Sequence, residues 1–126
     1  MNGEILRFFE GHMDAMPLYV HLEEAIMAEI PDASIRVSKT QISFSCKRGF
    51  AVVSFAPVRK TKDHPRAYLT LSFGMGSRKE SVRIDGAVEP YPNRWTHHVM
   101  VTAHEEIDEE LLGWLREAAA FSAAKR

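Results

Sequence analysis

Residues 94–124 read RWTHHVMVTAHEEIDEELLGWLREAAAFSAA, and the hydrophobic period changes within this stretch. Over residues 94–102 apolar and polar side chains alternate, which is typical of a half-buried strand. Asp108 then stands where a helix N-cap is expected, with Ile107 before it and two glutamates in the first turn, where they favour the helix dipole. The inner stripe of this helix is predicted to contain Leu111, Leu115, Ala118 and Ser122. The stretch therefore predicts a strand followed by an amphipathic helix.

The middle of the chain predicts further strands of the same kind. They are expected at residues 34–46 with a turn at Lys39 and Thr40, at 50–57, at 67–73 and, as a short strand, near 81–84. Residues 85–93 contain two prolines and predict a loop.

The N-terminal part of the chain predicts two helices. Residues 4–10 form the first, which ends at Gly11, and Asp14 is expected to cap a second helix that runs to Ile30. Helices at both ends predict an α+β fold in which an antiparallel sheet of about five strands is covered on one face by the N-terminal and C-terminal helices. The predicted core contains Leu18, Leu22, Ile26, Ile42, Phe44, Leu69, Leu71, Val99, Val101, Leu111, Leu115 and Ala118.

The composition is that of one domain over residues 1–126. Of these residues 45% are hydrophobic and 26% are charged. A chain of this size buries roughly two thirds of its unfolded surface, so we expect it to fold without a metal or a disulfide. Cys46 is the single cysteine, no apolar run reaches the roughly 20 residues of a membrane span, and no secretory signal is recognised. We expect a cytoplasmic location and no membrane partner.

The net charge of −1 hides an uneven distribution. Residues 1–33 carry a net charge of −6, residues 34–104 carry +8, and residues 105–126 carry −3. The basic charge thus belongs to the predicted sheet and the acidic charge to the predicted helices. Two interpretations are open. Either internal ion pairs and solvated faces account for the difference in charge between the sheet and the helices, or the sheet side binds an anionic ligand or an acidic partner.

The sequence predicts no metal site and no cofactor. His97 and His98 are adjacent on a strand and point to opposite faces, and no His-Glu-x-x-His or Cys-x-x-Cys spacing occurs. Residues 34–62 contain no acid, which argues against a metal-dependent nuclease. The Gly-x-Ser-x-Gly motif of serine hydrolases does not occur either. Cys46 is expected to point inward with Phe44 as a structural thiol.

Cations and aromatic side chains form the candidate binding site, which contains Lys39, Arg94, Trp95 and His97. Arginine offers a two-pronged donor for carboxylate or phosphate, lysine offers a point charge, and tryptophan offers a flat apolar wall. We expect these side chains to contribute to one anion-binding site. The alternatives are that Lys39 and Arg94 pair with helix carboxylates, and that His97 is a hydrogen-bonded histidine at the edge of the core.

Two C-terminal motifs are the most specific in the chain: RWTHHV at residues 94–99 and IDEELLGWLREA at residues 107–118. With VSKTQISF at residues 37–44 and FFEG at residues 8–11, they resemble the bacterial family called domain of unknown function 5655. The family pattern often has a basic residue where this chain has His98. The resemblance permits an accessory context beside predicted DNA-associated proteins, and it supplies no catalytic residue.

The sequence therefore favours a small non-catalytic binding module for an anionic small molecule or an acidic protein segment. One alternative is an enzyme of undefined class that uses His97 as a general acid or base. A second is a weak nucleic-acid-associated accessory domain, although a pI near 6.6 is far below that of most such binders. The ligand and the oligomeric state do not follow from the sequence.

Overall fold

The computed structural model describes residues 3–58, 65 and 67–124. In chain order these residues form α1 (Gly3–Phe8), α2 (Met16–Glu29), β1 (Ser34–Val37), β2 (Ile42–Ser45), β3 (Gly49–Ser54), β4 (Leu69–Met75), β5 (Gly86–Tyr91), β6 (Arg94–Val101) and α3 (Glu109–Ala123). Short 3-10 turns precede α2 and α3, at Met13–Ala15 and His104–Glu106.

The strands form one antiparallel sheet in the order β1-β2-β3-β4-β6-β5. This confirms the predicted α+β class, but the sheet has six strands in the described part of the chain and not about five. The difference lies at the edge, where β5 replaces the predicted loop at 85–93 and residues 81–84 form no strand. Pro90 suggested a loop, yet β5 is an edge strand whose pairing with β6 shifts register between Val88 and Tyr91, and proline is tolerated at such irregular edge positions because it lacks the N–H that a regular ladder requires.

The inner face of the sheet packs against the helices and forms the core. On β4 the side chains of Leu69, Leu71, Phe73 and Met75 are all buried. The rings of Phe73 and Trp114 are stacked with their centroids 6.0 Å apart, which joins the sheet to α3. Each residue of the predicted core is buried, so the inner faces are confirmed at these positions.

The starts of the two long helices differ in how well the sequence predicted them. At α3 the Asp108 side chain accepts a hydrogen bond of 3.0 Å from the Leu111 N–H, as expected of an N-cap. At α2 the prediction that Asp14 is the cap is wrong, because Asp14 lies within a 3-10 turn and the N-cap position is Ala15. Pro17 in the first turn of α2 needs no N–H partner, which lets the helix begin without a side-chain cap.

Residues 76–85, here called the crossover segment, pass over β6 on the inner face of the sheet. β4 and β5 both pair antiparallel with β6, so the chain must cross β6 to connect them. The segment runs beside α3 in the opposite direction. A Cβ atom at Gly76 would lie 3.1 Å from the Phe121 ring, and Lys79 forms an ion pair of 3.0 Å with Glu117. The close approach at Phe121 explains why position 76 is glycine.

Cys46 is exposed, which contradicts the prediction that it points inward. β2 ends at Ser45, and the pairing of β2 with β3 shifts register between Phe44 and Ser45. The strict alternation that would have placed Cys46 beside Phe44 is therefore broken one residue earlier. Within residues 3–58, 65 and 67–124, no helix is both long and apolar enough to cross a bilayer.

Candidate functional site

The residues predicted to form one site lie at two ends of the sheet. Val37 stands in one row of the sheet with Ile42, Val53, Leu71 and Val99. Lys39 lies just beyond Val37, in the turn that follows β1. Arg94 lies on β6, which is separated from β1 by four strand spacings across the sheet, or about 19 Å. Arg94 also precedes Val99 by five residues, about 17 Å along the strand and in the direction opposite to Lys39. The prediction of a single site is therefore corrected, because Lys39 does not meet the other three residues.

His97 is buried beneath the crossover segment. Its side chain is 0% exposed and stacks on Phe73, with the ring centroids 5.3 Å apart. The backbone N–H of Lys79 donates a hydrogen bond of 2.8 Å to Nε2 of His97. The ring proton is therefore on Nδ1, which lies near the Phe73 backbone but reaches no hydrogen-bond partner among the described residues. These contacts favour the interpretation of His97 as a core histidine that holds the crossover segment.

Burial lowers the pKa of His97. The backbone of Phe73 opposes this shift, and the positive charges of Lys79, His98 and Arg78 add to it. Burial also lowers the pKa of the half-buried His98, whose Nδ1 lies 2.7 Å from Oγ of Ser72. The neutral imidazole is thus the form of His97 that the fold accommodates.

We expect the protein to lose stability as the pH falls below about 6.5, the ordinary pKa of histidine. The folded state binds a proton at His97 more weakly than the unfolded chain does. The stability is therefore complete above the unfolded pKa and decreases as the pH falls toward the lower folded pKa. Urea unfolding at about pH 7.5 and about pH 5.5 measures the loss. His97→Gln, whose amide oxygen can accept the Lys79 N–H bond, should lose less, and an equal loss in both proteins would place the titrating group elsewhere.

Arg94 and Trp95 lie at the start of β6, close to the crossover segment. The guanidinium of Arg78 is 5.9 Å from the centre of the Trp95 ring, within the range of a cation–π contact. Arg94 is exposed and forms no ion pair with another described residue, so the alternative that it pairs with a carboxylate of a helix such as α3 is wrong for the described part of the chain. Arg83 of the crossover segment has that role.

A cavity of about 290 Å³ opens between α1 and the turn that joins β1 to β2. Its lining consists of Glu4, Arg7, Phe8, Val37, Ser38 and Lys39, and it is here called the α1 pocket. Phe8 and Val37 supply an apolar wall, and Arg7 and Lys39 supply two cations. The turn that carries Lys39 is fixed because Oγ of Ser38 donates to the Gln41 carbonyl at 3.1 Å. Glu4 adds one carboxylate to the lining, so the α1 pocket is a concave site in which the two cations exceed the acid by one charge.

The cations near α3 are used in ion pairs, and those near the α1 pocket are not. Lys79, Arg83 and Arg116 each contact a carboxylate at 3.0 Å or less. The described cations without an ion pair to another described residue are Arg7, Arg36, Lys39, Lys47, Arg48 and Arg94. All but Arg94 lie on α1, β1 or the turns on either side of β2. The unpaired positive charge of the described residues is therefore concentrated at the β1 side of the sheet.

Arg7 and Phe8 are site residues that the sequence did not reveal. Both lie on α1, which reaches β1 only in the folded chain. The FFEG motif at residues 8–11 pointed to this helix as part of the family pattern. It gave no indication that the helix faces the turn between β1 and β2. Among the described residues, no group of three or more His, Cys, Asp or Glu side chains is arranged to hold a metal ion.

Comparison with known proteins gives one match. Residues 7–122 match a family model described as domain of unknown function (DUF5655). The match includes the motifs of α1, β1, β6 and α3. No curated protein and no solved structure matches the chain significantly.

Proposed function

The chain belongs to the DUF5655 family, and we propose that it is a non-catalytic module that binds an anionic ligand in the α1 pocket. The observation that carries this proposal is the convergence of Arg7 and Lys39 on one cavity while neither cation has a carboxylate partner among the described residues. Surface cations near α3 do have such partners. A guanidinium and an ammonium beside an apolar wall suit a ligand with a carboxylate or phosphate next to an apolar part.

The volume of the α1 pocket favours a small molecule over a long segment of protein. About 290 Å³ is at the lower limit of ligand sites, which usually measure about 300–1,000 Å³. Arg7 and Lys39 would bind the acid group, and Phe8 and Val37 would contact the remainder. An acidic protein segment would place one carboxylate in the pocket between Arg7 and Lys39. We also propose a cytoplasmic location, because a reducing compartment suits the exposed Cys46.

The two alternative functions stay predictions with less support. An acid or base at His97 must exchange protons with a substrate, yet its Nε2 is occupied by the Lys79 N–H and the ring is buried. Nucleic-acid binding draws on the same unpaired cations, but the acidic charge of α2 and α3 opposes a polyanion.

We expect removal of the two pocket cations to abolish anion binding. The probes are citrate, succinate, inorganic phosphate, AMP and a short polyglutamate peptide, screened by thermal shift and then measured by calorimetry. The double variant Arg7→Ala/Lys39→Ala should bind the best probe at least about tenfold more weakly, since each charged hydrogen bond contributes about 1.5–3 kcal/mol. The binding of the wild-type protein should also weaken as the salt concentration rises.

The matched control is the double variant Lys47→Ala/Arg48→Ala, which removes the same charge from the exposed turn between β2 and β3. It should retain nearly all of the affinity for a small anion. Equal losses in the two double variants would mean that the anion responds to overall charge and not to the α1 pocket. If an anion binds the wild type and only Arg94→Ala abolishes the binding, the site lies at β6. A wild-type protein that binds none of the probes would contradict the proposal.

A further inference from the structure

Two histidines that are distant in the sequence meet at the surface of the fold. His21 lies on α2, and His104 lies 83 residues later in the 3-10 turn before α3. Their Nδ1 atoms are 2.8 Å apart. Their rings are stacked, with centroids 5.0 Å apart and an angle of 22° between the ring planes. The two Nδ1 atoms therefore meet where α2 contacts the turn before α3.

The Nδ1 atoms of His21 and His104 can each carry a lone pair at this contact. At 2.8 Å they share one hydrogen, because two N–H groups or two lone pairs would repel each other. A neutral imidazole carries its proton on either nitrogen. When both rings carry it on Nε2, both Nδ1 lone pairs are free to bind one cation. Neutral imidazole nitrogens are the commonest protein ligands of transition metals.

The distance between the Nδ1 atoms is close to that of a metal site. Zinc binds imidazole nitrogen at about 2.0–2.1 Å, and tetrahedral geometry then places two such nitrogens about 3.3 Å apart. From the observed 2.8 Å, the rings of His21 and His104 must separate by about 0.5 Å. His21 is half-buried and His104 is exposed, so a small rotation of the two side chains provides this movement.

The backbone on both sides of the pair is well fixed. Oε1 of Glu106 accepts hydrogen bonds from the backbone N–H groups of Thr102 at 2.7 Å and Ala103 at 3.0 Å, which holds the turn that carries His104. His21 precedes the fully buried Leu22, so its helix is anchored in the core. A pair that is already positioned loses little freedom when a ligand binds.

The charge of the surrounding segments favours a cation over an anion. Residues 1–33, which include α2, carry a net charge of −6, and residues 105–126, which include α3, carry −3. The unpaired cations near the α1 pocket lie on other elements, at the β1 side of the sheet. Glu23 and Glu24 lie within one turn of His21 on α2 and favour a cation at the histidine pair.

We propose that His21 and His104 form a binding site for a divalent transition-metal ion, Zn²⁺, Ni²⁺ or Cu²⁺, with both Nδ1 atoms as ligands. Imidazole nitrogen suits these ions, whereas Mg²⁺ and Ca²⁺ prefer oxygen. No third His, Cys, Asp or Glu among the described residues completes the group. The remaining positions around the ion are taken by water, so the site binds its metal reversibly and is not required for folding.

Calorimetric titration of ZnCl₂ and NiCl₂ into protein without a polyhistidine tag tests the proposal. We expect one ion per chain for the wild type. His21→Gln and His104→Gln should each weaken binding by at least about tenfold, since even residues that only support a ligand contribute 10–100-fold. The control His12→Gln removes an imidazole that stacks on Phe55 and does not belong to the pair, and it should bind as the wild type does. MgCl₂ should give no heat of binding.

The variants are first shown to be folded by circular dichroism and by their urea midpoints. A chelator should leave the wild-type urea midpoint unchanged, whereas excess Zn²⁺ should raise it, and this rise should disappear in both glutamine variants. Two results would overturn the proposal. One is a wild-type protein that binds neither Zn²⁺ nor Ni²⁺, and the other is undiminished binding in the double variant His21→Gln/His104→Gln, which would assign the metal to other residues.

Discussion

Replacing Leu115 by alanine is expected to lower the free energy of unfolding by about 2–5 kcal/mol. Leu115 is 0% exposed and lies on the face of α3 that packs against β3 and β4. The substitution removes buried apolar atoms and leaves a cavity, since the helix is fixed along the sheet and cannot collapse into the space. Urea unfolding followed by circular dichroism at constant pH measures the difference.

Glu117→Ala is the matched control on the opposite side of the same helix. Glu117 is exposed and forms one ion pair with Lys79 at 3.0 Å. An exposed pair of this kind contributes about 0.2–1 kcal/mol, so the control should stay within about 1 kcal/mol of the wild type. Small and equal effects at both positions would show that the inner face of α3 is assigned incorrectly.

Replacing Arg83 by alanine is expected to lower the free energy of unfolding by about 1.5–3 kcal/mol. Nη1 of Arg83 donates to Asp108 at 2.9 Å and to Glu110 at 2.8 Å, and Nη2 donates to the Glu106 carbonyl at 2.6 Å. Its guanidinium also lies 5.6 Å from the centre of the Trp114 ring. The side chain is 22% exposed, so its partners lose charged hydrogen bonds that water replaces only in part.

The control for Arg83 is Arg116→Ala. Arg116 also bridges two carboxylates, Glu29 at 2.8 Å and Glu109 at 2.6 Å, but its side chain is 42% exposed. Water screens this bridge, so its loss should lower the free energy of unfolding by less than the loss of Arg83 does. The pKa of Asp108 is held below its usual value by the Leu111 N–H and by Arg83, which outweigh the opposing effect of its burial. If the two arginine variants were equally stable, Arg83 would not be the anchor of the crossover segment.

Local patterns in the sequence were sufficient for the elements that pack against the core. The stripe through Leu111, Leu115 and Ala118 and the cap at Asp108 predicted α3 correctly, because these signals depend only on neighbouring residues. Alternation placed Leu69 and Val99 on the inner face for the same reason. The DUF5655 match covers all of these elements and agrees with the resemblance seen in their motifs.

Patterns failed where the outcome depends on a partner from another part of the chain. Pro90 predicts a loop when it is considered alone, and only its place on an edge strand makes β5 possible. Cys46 follows the alternation of β2 in the sequence, but the register shift against β3 places it in solvent. Both errors arise because the pairing and register of a strand depend on its neighbouring strand and do not follow from the alternation within one segment.

The sequence by itself determined the α+β class, the faces of the long helices and the basic character of the sheet region, because these properties follow from period, capping and composition. It also indicated Lys39 as a cation at a turn. Only the tertiary structure decided which of the described cations form ion pairs and which line a pocket. Arg83 forms ion pairs with α3 and its cap, whereas Arg7 joins Lys39 at the α1 pocket. The physical reason is that an ion pair or a pocket is a relation between side chains, and the strand order that sets this relation is not a local property of any segment.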